Sequence, residues 1–449
     1  MRPHEIISDY VKLVCQQIRW KKSHERISEE MFNHIIDGRD AYINQGLDEE
    51  EAVKKAITDS GDALVIGTQL DRIHRPKPQW GMFLWVAGFL LLGVLLSQII
   101  FPGMGFPYSR LTTRLFWTAI GTVLMFAAYI TDFSILGKYP WRIFIVAASL
   151  VMGAFFLIPA HVGRVNTFHL GSIQLRNITL IFPVILVPVI YTTRNKGYRG
   201  LVISSLAYAF LCLVAIAAPQ SGITAFGHFT PVGMALLIFA VMRGWFGANK
   251  LRSLLLVAVS HLAVFILWLW VNIQSGGSLI FRRMGVILNP GTDPAGRGFF
   301  PVQVRRLLSS AALFGEGTPD HWYSRFWPMY DMQQTLYSDY LLATVIFRFG
   351  WLVFGLVMCI LVFFIAQAIS RCLKQKSSLG FFASIAIIMM FAMQVFTYVI
   401  FNLGFGIGFI SLPLISPGNT ATVINMGLIG FMLSVFRTGD AVVDKKLCS

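Results

Sequence analysis

Residues 80–101, WGMFLWVAGFLLLGVLLSQIIF, run without one charged side chain. A segment of that length and polarity matches the hydrocarbon thickness of a bilayer. It is the first of ten apolar segments, at about 80–101, 115–135, 141–160, 174–193, 200–219, 225–246, 253–273, 340–368, 380–404 and 418–437. The whole chain has 449 residues, is 55% hydrophobic and only 13% charged, and has a mean hydropathy of +0.65. A water-soluble core could not hide so much apolar surface, so the fold class is all-α and polytopic. Five cysteines, Cys15, Cys212, Cys359, Cys372 and Cys448, stand without CxxC spacing and point to neither a disulfide framework nor a metal site.

Charge is divided unevenly. Residues 1–78 hold 12 Lys/Arg and 14 Asp/Glu, leaving 25 Lys/Arg and 8 Asp/Glu for the other 371 residues. Lys138, Arg142, Arg194, Lys196, Arg199, Arg243, Lys250, Arg252, Arg371, Lys374 and Lys376 fall on alternate short loops. The positive-inside rule then places both termini in the cytoplasm and the long segment 274–339 outside. The remaining basic excess calls for an anionic partner, membrane lipid head groups or a substrate, and not for nucleic acid.

Residues 1–78 read as a small cytoplasmic helical module. One helix is expected to start at an N-cap, Ser28, and to close at Gly46; a second has Asp48 as N-cap with Glu51 three residues on; a third runs from Asp62 to Arg75, stopped by Pro76 and Pro78. The stretch is similar to short helical modules found in front of some bacterial permeases. The ten-span domain covers 79–437, and 438–449 is a cytoplasmic tail.

Segment 274–339 is too long for a simple connector. It carries Arg282, Arg283, Arg297, Arg305, Arg306 and Arg325, and VQVRRLLSSAALFG within it has the amphipathic pattern of a helix lying on the outer face. Guanidinium groups suit phosphate oxygens, so arginines beside a carboxylate at the bilayer surface fit a lipid-linked phosphate, or else plain lipid phosphates. The carboxylate is Asp339, in QTLYSDYLLATVIF at the mouth of the eighth span. Arg348, two and a half turns into that span, is costly there and is expected to face the protein interior. His228 and His261 read as interhelical hydrogen-bonding groups.

These motifs resemble the SEDS family (shape, elongation, division and sporulation), which includes RodA, FtsW and SpoVE. The match lies in Leu288-Asn289-Pro290, Asp293-Pro294, Gly296, Gly298, Gln303 and Leu313-Phe314-Gly315-Glu316-Gly317, in YSDYLLATVIFRFGW, and in NLGFGIGFISLPLISPGN. The resemblance implies a peptidoglycan glycosyltransferase of the bacterial plasma membrane, polymerising lipid II in elongation, division or sporulation, with a class B penicillin-binding protein as transpeptidase partner. It implies Asp339 as the catalytic base. Arg282 and Arg283 would face the leaving pyrophosphate, with Arg297, Gln303 and Arg348 as further substrate contacts. No cofactor is assigned, and a divalent cation stays open. Elsewhere the chain departs from the family pattern. Leu175-Arg176-Asn177 replaces Pro-Ser-Glu, Leu180 replaces a lysine, Gln220 replaces an aspartate, and Phe347-Arg348 replaces a pair of glutamates. A non-catalytic scaffold and a flippase for lipid-linked precursors are the alternatives. A proton-coupled transporter is disfavoured, since carboxylates are almost absent from the spans.

Overall fold

The computed structural model describes residues 3–100, 109–157, 169–170, 173–217, 222–247, 249–274, 285–296, 298–318, 339–405 and 411–439. Helices dominate, and among the described residues the sheet content is one two-stranded ladder, His169–Leu170 with Ile173–Gln174. The chain divides into two compact units, Met1–Pro78 with Phe436–Ser449, and Gln79–Val435.

The first unit has four helices, α1 (Pro3–Gln16), α2 (His24–Ile43), α3 (Glu49–Ser60) and α4 (Ala63–His74). Asp48 and Asp62 cap α3 and α4, each carboxylate accepting a backbone N–H of the first turn. Gly46 closes the turn after α2 at φ +93°. Helix α2 starts four residues before the expected cap. Ser23 occupies that position, and the Ser28 hydroxyl instead donates to the Glu25 carbonyl within the helix. The reason is tertiary: α1, which has no sharp start signal, packs Ile7, Tyr10, Val11, Val14 and Ile18 against Ile27 and Ile35, which makes an earlier helix start worthwhile. Helix α4 closes on α1 so tightly that a Cβ on Gly67 would lie 2.7 Å from the Val14 carbonyl.

The second unit holds α5 (Trp80–Ile100), α6 (Ser109–Ile130), the short α7 (Ile135–Lys138), α8 (Pro140–Leu157), α9 (Phe182–Thr193), α10 (Gly197–Ala217), α11 (Gly222–Met242), α12 (Lys250–Gln274), α13 (Phe299–Ser309), α14 (Leu341–Phe349), α15 (Trp351–Leu373), α16 (Ser378–Asn402) and α17 (Asn419–Thr438). Among the described residues, seven helices are long and apolar enough to cross a membrane, and three shorter apolar ones accompany them at Pro140–Gly153, Asn177–Thr193 and Gly227–Met242. This is a polytopic membrane protein. Burial ranks the helices: 78% of the apolar window of α16 and 72% of that of α17 are enclosed, against 17% for α6 and α12. Helix α9 is buried almost throughout, flanked by α8, α10, α11 and α16.

Polar side chains join the central helices where lipid offers no alternative partner. Gln394 of α16 and Asn425 of α17 exchange two amide hydrogen bonds of 3.0 Å. Thr193 and Ser204 meet at 2.7 Å between α9 and α10, and His261 of α12 meets the Tyr208 hydroxyl of α10 at 2.7 Å.

Contacts sort the loops of this unit to two ends. At one end, Gln79 accepts from Arg371 at 2.8 Å, the Asn195 N–H donates to Trp245 O, and Arg243 lies 3.9 Å over the Phe381 ring. That end gathers much of the unit's Lys and Arg. At the other end Gly93, Arg114 and Ile415 meet, as do Asp339 and Asn402, and Arg305 and Gly404.

The eighth span is two helices rather than one run over 340–368. Gly350, at φ +90°, separates α14 from α15, and a Cβ there would come within 2.5 Å of the Leu313 carbonyl.

The Tyr10 hydroxyl donates to the Gly61 carbonyl at 2.8 Å, joining α1 to the α3–α4 turn. Burial first, and the Asp62 charge second, raise its pKa from the usual 10.0. A raised pKa means the folded state holds the proton more tightly, so this contribution is whole below that usual value and is lost as pH rises past it. Tyr10→Phe is expected to weaken the α1–α4 contact by about 1 kcal/mol, read as faster hydrogen exchange of α4 amides in the intact chain. Unchanged exchange would refute the role of this bond.

Candidate functional site

The second end carries the residues that the sequence singles out. Its floor is α14, nine residues with Leu341–Phe347 all buried. So short a helix leaves most of its terminal backbone groups without helical partners. In an apolar setting each must find one. At the C-terminal end, the extended stretch 312–317 supplies them. The Gly315 N–H donates to Phe349 O at 3.1 Å and the Gly317 N–H to Phe347 O at 2.8 Å. Across the break, the Trp351 and Leu352 N–H groups donate to Ala312 O and Leu313 O at 3.2 and 3.1 Å. This clasp explains the glycines of LFGEG. Gly315 sits at φ +82°, and a Cβ on Gly317 would lie 2.4 Å from the Ser310 carbonyl.

At the N-terminal end of α14, helix α16 does the same work. The Leu341 N–H donates to the Tyr398 hydroxyl at 3.1 Å and the Ala343 N–H to Asn402 Oδ1 at 3.0 Å. Asn402 Nδ2 in turn donates to the Asp339 carbonyl at 3.0 Å. Asp339 is therefore fixed through its own backbone, two residues before α14, with its side chain partly exposed.

Helix α13 forms the wall. Phe300 stacks on Tyr340 with ring centroids 5.9 Å apart and 17° between planes. Val304 and Leu307 pack on Tyr340, Ala343 and Phe347. On its other side Arg305 donates from Nε to Gly404 O at 2.9 Å and lies 4.9 Å over the Phe405 ring. The stretch expected to form an amphipathic helix does so only over Phe299–Ser309, with its apolar side seated on α14. It is led in by a tight double turn, in which the Gly296 and Gly298 N–H groups both donate to Asp293 O. A Cβ on Gly298 would lie 2.1 Å from Pro290 O, which accounts for the glycine spacing of the motif.

Of the expected site residues, Asp339 lies just before α14 and Gln303 on α13, the helix that packs against α14. Gln303 is buried, and its Oε1 has no hydrogen-bond partner among the described residues. A buried carbonyl oxygen without a partner is costly and marks where a donor from outside can bind. Arg348 lies in the last turn of α14, just before the break at Gly350. Its Nη1 meets Glu316 Oε1 at 2.5 Å, tying the clasp to the helix. Arg282, Arg283, Arg297 and Gln220 lie outside the described residues. Leu180, where the family pattern has a lysine, is buried. Among the described residues no three His, Cys, Asp or Glu side chains stand together as a metal site.

Sequence reasoning passed over Tyr398 and Asn402. Their signal is their spacing, four residues apart on one face of α16, with Asn402 opening the NLGFG motif.

The Glu316–Arg348 pair is partly solvent-exposed, with side chains 50% and 27% accessible, so its direct contribution to stability is about 1 kcal/mol or less. Reversing either charge alone is expected to loosen the clasp, and Glu316→Arg with Arg348→Glu to restore it. Thermal unfolding of the three variants checks this, and a double variant no better than the singles would rule the pair out.

No model of a known protein family matches the chain. Among curated proteins it is 23% identical over 208 residues to the probable peptidoglycan glycosyltransferase FtsW of Trichlorobacter lovleyi, covering 45% of this chain and 52% of that one. It is 22% identical over 184 residues to the peptidoglycan glycosyltransferase MrdB of Escherichia coli K12, covering 40% and 47%. The chain spans about half the length of the curated relatives it matches. Among solved structures, it superposes on a chain from a study of polymerization and crosslinking by a peptidoglycan synthase complex, with TM-score 0.56, 15% identity, and 81% and 98% coverage. A variant of the rod-shape-determining protein RodA of Thermus thermophilus gives TM-score 0.50 at 13% identity, with 81% and 98% coverage.

Proposed function

We propose that this chain, whose membrane unit has the SEDS fold of RodA and FtsW, is a peptidoglycan glycosyltransferase that polymerises lipid II at the outer face of the bacterial membrane. The observation that carries the reading is the placement of Asp339. Asn402 holds its backbone carbonyl just before α14, the helix against which α13 packs, and α13 carries the buried Gln303, whose Oε1 has no partner among the described residues, and the Phe300 ring that stacks on Tyr340. The Arg and Lys end of the bundle is then cytoplasmic, and the Asp339 end faces out.

In the proposed step, the 4-hydroxyl oxygen of the acceptor sugar attacks the anomeric carbon of the donor. A new C–O bond forms as the bond to undecaprenyl pyrophosphate breaks. Asp339 takes the hydroxyl proton, and the pyrophosphate leaves with the bonding electron pair. Arg282 and Arg283 remain the proposed cations for its charge, with Arg297 as a further contact. Gln303 Oε1 would accept from a sugar hydroxyl or amide N–H. Arg348, already paired with Glu316, is proposed to serve the substrate through the clasp. No step is routed through a metal. The proposed partner is a class B penicillin-binding protein that crosslinks the glycan. Residues 1–78 are proposed as a cytoplasmic regulatory module.

One observation favours a second reading. Buried Leu180, with Leu175, Arg176 and Asn177, removes charged groups that the family pattern places in the membrane domain. A scaffold or flippase would tolerate that loss more readily than an enzyme.

With purified protein and lipid II in liposomes, wild type is expected to make glycan chains. Asp339→Asn is expected to lower the rate about 100- to 10,000-fold without unfolding the protein. Chains from neither, with the partner transpeptidase present, would establish the scaffold. Leaflet exchange of lipid II without polymerisation would establish the flippase.

A further inference from the structure

Arg114, near the start of α6, is 9% exposed. Its guanidinium bonds three neutral acceptors: Nη1 to Gly93 O at 3.0 Å and to Ser97 Oγ at 3.1 Å, and Nη2 to Ile415 O at 2.8 Å. A buried cation is costly, and such arginines persist in membrane helices where they hold something in place. What Arg114 holds is unusual. The residue before its Ile415 acceptor, Leu414, is buried and sits at φ +65°, a left-handed conformation that a leucine rarely adopts. Gly93 is confined as well, because a Cβ there would lie 2.1 Å from Ile415 O and 2.4 Å from Arg114 Nη2.

The strained turn reaches the site. The Ser416 hydroxyl donates to Leu412 O at 3.3 Å, and its side chain lies beside that of Tyr398. Tyr398 receives the Leu341 N–H, and Asn402, one helical turn along α16, holds both Ala343 N and Asp339 O. An unbroken chain of contacts thus runs from Arg114 through residues 412–416 and Tyr398 to the first turn of α14.

We propose that Arg114 is a positioning residue for the Asp339 site, its guanidinium fixing the 412–416 turn that seats Tyr398 and, through it, the start of α14. The inference rests on the reading of Asp339 as base only for its effect on rate. The structural link stands apart from it.

The test uses the full chain in liposomes with lipid II, and compares Arg114→Gln, Arg114→Lys, Ser416→Ala and Asp339→Asn. Two readouts are taken: hydrogen exchange of the Leu341–Val345 amides, and kcat, KM and the pH profile of kcat/KM. Arg114→Gln and Ser416→Ala are expected to speed exchange of the α14 amides. They are expected to lower kcat about 10- to 100-fold with KM nearly unchanged, and to move the acidic limb of the profile. Arg114→Lys recovers part of the loss. Ser416→Ala leaves the buried charge untouched, so it decides the matter if Arg114→Gln fails to fold. Wild-type exchange at α14 in folded Arg114→Gln or Ser416→Ala overturns the proposal. If Asp339→Asn polymerises as well as wild type, the base assignment falls instead, and the exchange data still decide the positioning role.

Discussion

A buried peptide group must find a partner, and at the Asp339 end of this bundle that requirement shapes nearly everything. Helix α14 is too short to satisfy itself. Its carbonyls at Phe347 and Phe349 take N–H groups from the 312–317 stretch, and its amides at Leu341 and Ala343 are taken by Tyr398 and Asn402. An unmade bond costs far more in lipid than in water. The clasp and the α16 side chains are therefore conditions for having a helix break at Gly350 at all. That break allows a carboxylate to stand at the mouth of the bundle while α15 continues as a full span.

The glycines follow from the same constraint. At Gly298, Gly317 and Gly350 a side chain would collide with a carbonyl oxygen, at 2.1, 2.4 and 2.5 Å respectively. Backbone can reach backbone at those places because no Cβ intervenes. A motif that reads as scattered glycines between apolar residues is thus a record of close approaches, and those approaches place α13 against α14. The two helices bring Phe300 onto Tyr340 and Gln303 into the buried layer, so the wall and floor of the site are one packing solution.

Charge is used sparingly in the membrane unit. At the end of the bundle that gathers Lys and Arg, cations lie on aromatic rings, as Arg194 does 3.8 Å from the Tyr191 ring and Arg243 does on Phe381. At the opposite end, Arg114 bonds neutral acceptors around a strained turn. The two arrangements differ in consequence. The first keeps charge accessible at a surface, where the apolar part of the side chain packs. The second buries it, and converts its desolvation cost into a fixed backbone geometry.

Composition and periodicity determined the polytopic helical architecture, since a run such as Trp80–Ile100 has no other stable setting. The local caps at Asp48 and Asp62 and the turn at Gly46 were also legible, because a cap is an interaction between near neighbours. The resemblance singled out Asp339 and Gln303 as candidates. What tertiary structure alone decided are the pairings across long sequence separation. The start of α2 moved to His24 because α1 packs on it. The eighth span broke at Gly350 because residues 312–317 could pair there. Arg348 met Glu316, 32 residues earlier in the chain. Arg114 found Ile415, 301 residues away. Sequence patterns report which groups prefer water, lipid or a nearby partner; they do not say which distant carbonyl a buried donor will meet, since that depends on how whole helices come to rest against one another.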